Sequence, residues 1–180
     1  MVIALAGRRI DPPDTTESRF PAQQAILVQK RIRKLLKHND ATDLVCSAAC
    51  GADLLALEIA GKLGIRRHIV LPFARDVFRR TSVSDRPGNW GERYDCVVDE
   101  VERDGELVLL GLSEDDPAAF ATANITILER ATKLARKDGQ PLLGVVVWDG
   151  RSRGHNDLTE QFLNDALDHH LAIAQVSTLD

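Results

Sequence analysis

The chain has 180 residues, 27 acidic against 23 basic side chains for a formal net charge of −4, and is 44 % hydrophobic but only 4 % aromatic. Such a length fits one domain that needs no disulfide or metal staple. The acidic balance, with no concentrated basic stripe, argues against a dedicated duplex-DNA reader, and no uncharged stretch approaches the roughly 20 residues of a membrane-spanning helix.

In chain order, residues 2–6 read as a first strand. This run has no basic region before it and is too short for a signal peptide's apolar core, so the expectation is a cytoplasmic protein. A long irregular segment follows over 7–21, with Asp11-Pro12-Pro13-Asp14 and Phe20-Pro21. Ala25, Val28, Ile32, Leu35 and Leu36 then recur at helical spacing, with Lys30, Arg31, Arg33, Lys34 and Lys37 on the solvated side. Residues 43–47 form a second predicted strand. The stretch 54–60 is apolar nearly all round, which predicts the most buried helix. A strand over 68–72 leads to a second irregular segment, 81–91, carrying Arg86-Pro87-Gly88. Trp90, Tyr94, Val97, Val98 and Val101 mark a third helix, followed by a strand over 106–112. Phe120, Ile127, Leu128, Ala131 and Leu134 mark a fourth, which Asp116-Pro117 would open with an N-cap acid and a first-turn proline. Residues 142–148 predict a strand, Leu158, Phe162, Leu163, Ala166 and Leu167 the last helix, and 171–176 the last strand. This alternation is that of βαβ units and a mostly parallel sheet. No repeat, low-complexity tract or linker divides residues 1–180, so a single domain is expected.

The usual chemical signatures are absent: there is no G-x-G-x-x-G after the first strand, no G-x-x-x-x-G-K-[ST], no G-x-S-x-G and no H-E-x-x-H. No cofactor is implied. His38, His68, His155, His169 and His170 lack metal-ligand spacing; no metal site is expected, and they read as solvated or capping residues. Cys46, Cys50 and Cys96, odd in number and within apolar runs, read as structural thiols of a reducing compartment.

What remains lies at the predicted C-terminal ends of strands, where open α/β sheets bind ligands. Gly7-Arg8-Arg9 follows the first strand: glycine permits a sharp exit, and the two guanidiniums either bind phosphate or carboxylate oxygens or stand solvated. Ser47-Ala48-Ala49-Cys50-Gly51-Ala52-Asp53 joins the second strand to the apolar helix, so that first-turn N–H groups at Gly51 and Ala52 offer an anion site. Asp53 either complements the helix dipole, accepts from ribose hydroxyls, or acts as a general base. Glu58, further into the helix, is a weaker acid candidate. The third segment runs from Trp148-Asp149-Gly150 to Gly154-His155-Asn156-Asp157, a second anion or ribose site or, with Asp157 and Glu160, a capping box opening the last helix.

These residues, in the order Gly7-Arg8-Arg9-Ile10-Asp11, Arg19-Phe20-Pro21, Ser47…Gly51-Ala52-Asp53-Leu54-Leu55-Ala56…Glu58, Leu71-Pro72-Phe73…Phe78…Ser82-Val83…Trp90 and Val147-Trp148-Asp149-Gly150, resemble bacterial domains of the SLOG superfamily. That superfamily groups the Smf/DprA DNA-processing proteins with the LONELY GUY phosphoribohydrolases. The resemblance implies a three-layer Rossmann-like α/β fold, a sheet of six or seven strands with helices on both faces, and a nucleotide-type ligand over its C-terminal edge, often in a homodimer. The phosphoribohydrolases carry P-G-G-x-G-T-x-x-E; residues 150–157 keep Gly154 and an acid but not the proline, the Thr or the spacing. The G-x-D-x-x-A of the DNA-processing members is present as Gly51 to Ala56, yet few basic or stacking residues equip the chain for single strands, and a nucleic-acid partner is not expected.

Three readings follow. In the first, the chain binds or senses a nucleotide or ADP-ribose-like ligand through Gly7, Arg8, Arg9, Ser47, Cys50, Gly51, Ala52, Asp53, Trp148, Asp149, Gly150, Gly154 and Asn156. In the second, it cleaves or transfers an N-glycosidic bond with Asp53, Glu58 and Asp157 as acid–base candidates. In the third, it is an oligomerisation or partner-binding domain with a vestigial pocket.

Overall fold

A computed structural model describes residues 1–179. Its sheet has six strands, all parallel, in the order β4-β3-β2-β1-β5-β6: β1 is Val2–Gly7, β2 Asp43–Cys46, β3 Arg66–Leu71, β4 Leu107–Leu109, β5 Leu142–Trp148 and β6 Ala172–Ser177. The helices are α1 (Ala25–His38), α2 (Ala52–Lys62), α3 (Arg75–Ser82), α4 (Trp90–Arg103), α5 (Ala119–Lys137) and α6 (Leu158–Asp168), with a 3₁₀ turn at Ala22–Gln24 before α1. This is the Rossmann-like three-layer α/β architecture, with helices on both faces of the sheet.

The period-2 geometry of a strand sorts each one into two cores. In β1, Ile3 and Leu5 face the layer of α1, α2 and α4, while Val2, Ala4 and Ala6 face α5 and α6; in β5, Val145 and Val147 take the first side and Val146 and Trp148 the second. Burial on both sides is why these strands read as continuous apolar runs rather than alternating ones. Helix α2 lies between the sheet, α1 and α4, and buries Ala52 to Leu57 together with Ile59 and Ala60. Its nearly uniform apolarity follows from having packed neighbours on most sides.

The chain order reverses at β1, which pairs with β2 on one side (Val2↔Asp43) and with β5 on the other (Val2↔Leu142 through Gly7↔Val147). Helices after β1 and β5 therefore leave toward opposite faces, opening a crevice at the strands' C-terminal ends. Gly7 is required there by close approach. A Cβ at this position would lie 2.4 Å from Ala52 Cβ and 2.7 Å from the Val147 carbonyl oxygen.

The segment after β1 is irregular but held. The Asp11 carboxylate accepts from the backbone N–H groups of Arg19 and Phe20 and from Ser18 Oγ, and Phe20 is fully buried.

Several expectations need correction. Helix α3 was not anticipated, because its eight residues carry three arginines and bury only Phe78 and Ser82; the irregular stretch there begins after Ser82 rather than at Thr81. Helix α5 starts at Ala119, not at Asp116-Pro117. Asp116 instead closes a turn, its carboxylate accepting from the Ala118 N–H at 2.8 Å. The strand expected over 106–112 is regular only across Leu107–Leu109, although the Leu110 and Leu112 N–H groups still donate to the Leu71 and Pro72 carbonyls. Cys46 and Cys50 are buried, but Cys96 is exposed on α4. His68 is neither solvated nor a cap. It is buried near the strands' N-terminal ends, where Nδ1 lies 2.8 Å from Glu106 and Nε2 3.0 Å from Asp43. Among the described residues no helix is long and apolar enough to cross a membrane.

Candidate functional site

Two neighbouring arginines leave β1 and have opposite fates. Arg8 is 2 % exposed; its Nη1 and Nη2 donate to the two Asp157 carboxylate oxygens at 2.6 and 2.8 Å, its Nε to Asp149 at 3.2 Å, and Nη2 also to the Arg151 carbonyl. Arg19 reaches the other Asp149 oxygen at 2.9 Å. Arg8 is thus the centre of a buried charge network that ties the β5–α6 loop to β1, and its guanidinium is spent within the protein. Asp157 completes the same network. It is the N-cap of α6, accepting from Thr159 and Glu160 N–H groups, and also accepts from Arg153 N–H. Burial raises its carboxyl, but Arg8 and these N–H groups outweigh that and hold it down at about 2. An acid so fully occupied is a structural anchor. The Glu160 side chain takes Ser152 Oγ rather than reaching back to the cap, so only half of the predicted capping box forms.

Arg9 turns toward the crevice. It pairs with Asp85 through Nη2, while its Nε is buried with no protein partner. It borders a cavity of about 380 Å³ under the C-terminal ends of β1, β2 and β3. The inner wall is apolar: Leu5, Phe73, Phe78, Phe120 and Ile127. Three of the chain's five phenylalanines meet here, with Phe73 and Phe120 edge to face at 5.3 Å between centroids. The polar positions are Arg9, Ser47, Asp53, Thr81, Ser82, Glu114, Asn124, Arg153 and Thr159.

Asp53 is the central group. It sits in the first turn of α2, folded back so that one carboxylate oxygen accepts from the Ala49 N–H at 3.2 Å; the other, Oδ1, is buried without a partner. Burial pushes the carboxyl up to about 7, against the Ala49 N–H and the Arg9 charge, which pull it down. Ser47 Oγ, at the end of β2, is likewise buried and unpartnered. Of the four buried side-chain polar atoms without a partner among the described residues, three (Arg9 Nε, Ser47 Oγ and Asp53 Oδ1) belong to residues lining this one cavity. Buried polar groups are normally paired, and leaving one unpaired costs about 1–3 kcal/mol.

The other anticipated positions divide clearly. The expected anion cradle at Gly51-Ala52 is closed: Ala52 N–H donates to the Arg8 carbonyl at 3.1 Å, and Gly51, at φ 104°, forms an isolated antiparallel bridge with Arg9. A Cβ on Gly51 would lie 2.7 Å from the Arg8 carbonyl oxygen, so this glycine serves the crossing of two backbones. Cys50 is buried beside Arg9, and burial raises its thiol more than Arg9 lowers it. Glu58 lies outside the cavity, bound through both oxygens to Arg93 at 2.6 and 2.7 Å. Trp148 packs into the α5–α6 core, its indole N–H donating to Gln175, so it offers no stacking face to a ligand. Asp149 serves Arg8 and Arg19. Gly150 and Gly154 are exposed loop glycines with positive φ, and Asn156, also at positive φ, borders a separate surface depression. The structure therefore gathers Gly7, Arg9, Ser47 and Asp53 at the cavity.

It also gathers residues that the strand-end reading did not select. Phe73 and Phe78 follow β3, Phe120 opens α5, and Arg153 comes from the β5–α6 loop. Position directly after β3 was an available signal for Phe73. None existed for Phe120, whose helical spacing is that of a core residue.

No family model and no curated protein matches the chain. Among solved structures it is similar to DNA processing protein A (DprA) from Streptococcus pneumoniae, with 15 % sequence identity and a TM-score of 0.43. The match covers 97 % of this chain and 58 % of that one, so the chain spans less than two thirds of the length of that protein.

Proposed function

We propose that the chain binds a nucleotide-type small molecule at the C-terminal edge of its sheet. The single observation behind this reading is the cavity of about 380 Å³ whose lining residues hold three unpartnered polar atoms, Arg9 Nε, Ser47 Oγ and Asp53 Oδ1. A ligand with an apolar ring, hydroxyls and an anionic end satisfies that lining. The phenylalanine wall takes the base, Ser47 and Asp53 bond the ribose hydroxyls, and Arg9 and Arg153 face the phosphate at the rim. Arg8 supports the site indirectly by fixing the loop that carries Arg153. A thermal-shift series with nucleoside monophosphates tests the reading: ligand at 100 times its dissociation constant adds about 2.7 kcal/mol. Stabilisation that falls at least tenfold in ligand affinity with Arg9→Gln is expected. No stabilisation by any nucleotide overturns the proposal.

A second reading, cleavage of an N-glycosidic bond, is favoured by one specific feature. Of the three acids expected to serve it, only Asp53 lines the cavity, and it titrates near neutrality with one oxygen free. A carboxyl so poised suits general acid–base work or stabilisation of an oxocarbenium-like state. Base released from nucleoside monophosphates by the wild type, and abolished in Asp53→Asn with binding retained, identifies the enzyme. Binding without turnover identifies a sensor.

A further inference from the structure

The Arg9 guanidinium is held unevenly. Arg93 and Arg79 show the side-on grip of a carboxylate, in which Nε and Nη2 act together: Arg93 takes both oxygens of Glu58 at 2.6 and 2.7 Å, and Arg79 holds Asp95 through Nε at 2.8 Å and Nη2 at 2.9 Å. In Arg9 only Nη2 of that edge reaches Asp85, while Nε is buried without a protein partner and the Cys50 thiol lies beside the guanidinium. Two parallel donors on one anion make the stronger arrangement. Asp85 does not supply it, because its oxygens are divided: Oδ1 accepts from Arg9 and Oδ2 from Arg86. The segment that carries Asp85 joins α3 to α4. Its ends are anchored by Val83 and Trp90, both buried, whereas Ser84, Asp85, Pro87, Gly88 and Asn89 are exposed. Arg86 is fixed separately, its Nε donating to the Ile10 carbonyl at 2.9 Å. An Asp85 that leaves Arg9 therefore stays paired with Arg86 at the surface, and the pair it gives up is one whose side chains are 28 and 33 % exposed, which costs little.

We propose that Asp85 is the built-in counter-anion of the cavity: it holds Arg9 through Nη2 alone, a ligand phosphate that takes Nε and Nη2 together displaces it, and Asp85 thereby sets how strongly the site favours a phosphorylated ligand over the same ligand without its phosphate. This rests on the reading of the phenylalanine-walled cavity as a nucleotide site. A phosphate monoester brings what Asp85 does not, two oxygens for one guanidinium edge and a charge of about −1.5 to −2 near pH 7. A nucleoside has no group that competes with a carboxylate for Arg9, so its binding leaves the Arg9–Asp85 pair intact and is indifferent to Asp85. Only the phosphorylated ligand has to break the pair.

Calorimetric titration of the full chain with AMP and with adenosine tests the proposal, using the wild type, Asp85→Ala, Arg9→Gln and the double variant. Asp85→Ala is expected to tighten AMP by more than about twofold and on the order of fivefold, the upper end for a partly exposed ion pair, while adenosine stays within about twofold. In the Arg9→Gln background the same change gains nothing; where that background binds too weakly to titrate, the adenosine comparison decides. AMP affinity in Asp85→Ala that is weaker than, or within about twofold of, the wild type overturns the counter-anion and leaves the nucleotide site standing. Adenosine tightened as much as AMP, or a gain that persists without Arg9, does the same. Binding of AMP to neither the wild type nor Asp85→Ala overturns both readings.

Discussion

Replacing Asp53 by Asn separates stability from ligand recognition. In the folded protein the Asp53 carboxyl titrates at about 7 rather than the ordinary 3.8. Between those values the unfolded chain has released its proton while the folded chain keeps it. Folding stability therefore falls as pH rises through this window, and the full penalty applies above about pH 7. At about 1.4 kcal/mol for each tenfold change, the displacement amounts to about 4 kcal/mol. Asn at this position accepts the Ala49 N–H as Asp does and carries no charge to desolvate. At roughly 2–4 °C per kcal/mol for a chain of this size, Asp53→Asn should melt on the order of 10 °C above the wild type at pH 8, with the gap closing toward pH 4. Thermal melts of both proteins across pH 4–9 measure this directly. A constant difference, or a wild-type advantage at pH 8, refutes the assignment of a buried, strained carboxyl. A change that stabilises the fold while costing function is the usual signature of a group retained for function.

Two further predictions concern the scaffold beneath the site. Arg8→Met leaves Asp149 and Asp157 buried without their shared cation and should cost about 3–5 kcal/mol in urea unfolding; a loss below 1 kcal/mol would show that the network is not what holds the β5–α6 loop. Gly51→Ala places a Cβ 2.7 Å from the Arg8 carbonyl oxygen at a φ of 104°, a strain of about 1–3 kcal/mol, and its urea midpoint should drop accordingly; an unchanged midpoint would contradict the tight crossing of Arg9 over Gly51.

The sheet and most helices were legible because burial on both faces leaves a plain mark: continuous apolar strands such as β1 and β5, and a helix, α2, apolar nearly all round. The crevice at the end of β1 followed from topology, and Asp53 was visible as an acid in the first turn of a buried helix. What the sequence did not distinguish was Arg8 from Arg9. Adjacent residues in an extended segment point opposite ways, and which guanidinium is consumed depends on Asp149 and Asp157, more than 140 positions away. Pairing across shorter separations, 25 and 38 positions, likewise hid His68, whose carboxylate partners are Asp43 on β2 and Glu106 just before β4. With only 4 % aromatic residues, the one ring the strand-end reading selected is Trp148; the fold instead brings three phenylalanines, Phe73, Phe78 and Phe120, to one wall. Helix α3 escaped because a short amphipathic helix, mostly charged, resembles a loop in composition.

The most direct test of the nucleotide-site assignment is a crystal structure of the chain with bound AMP. The account predicts the adenine against Phe73, Phe78 and Phe120, with Asp53 Oδ1 and Ser47 Oγ each within hydrogen-bond distance of the ligand and Arg9 Nε donating to a phosphate oxygen. Nucleotide bound elsewhere on the molecule, or in the cavity with those three atoms still unpartnered, contradicts it.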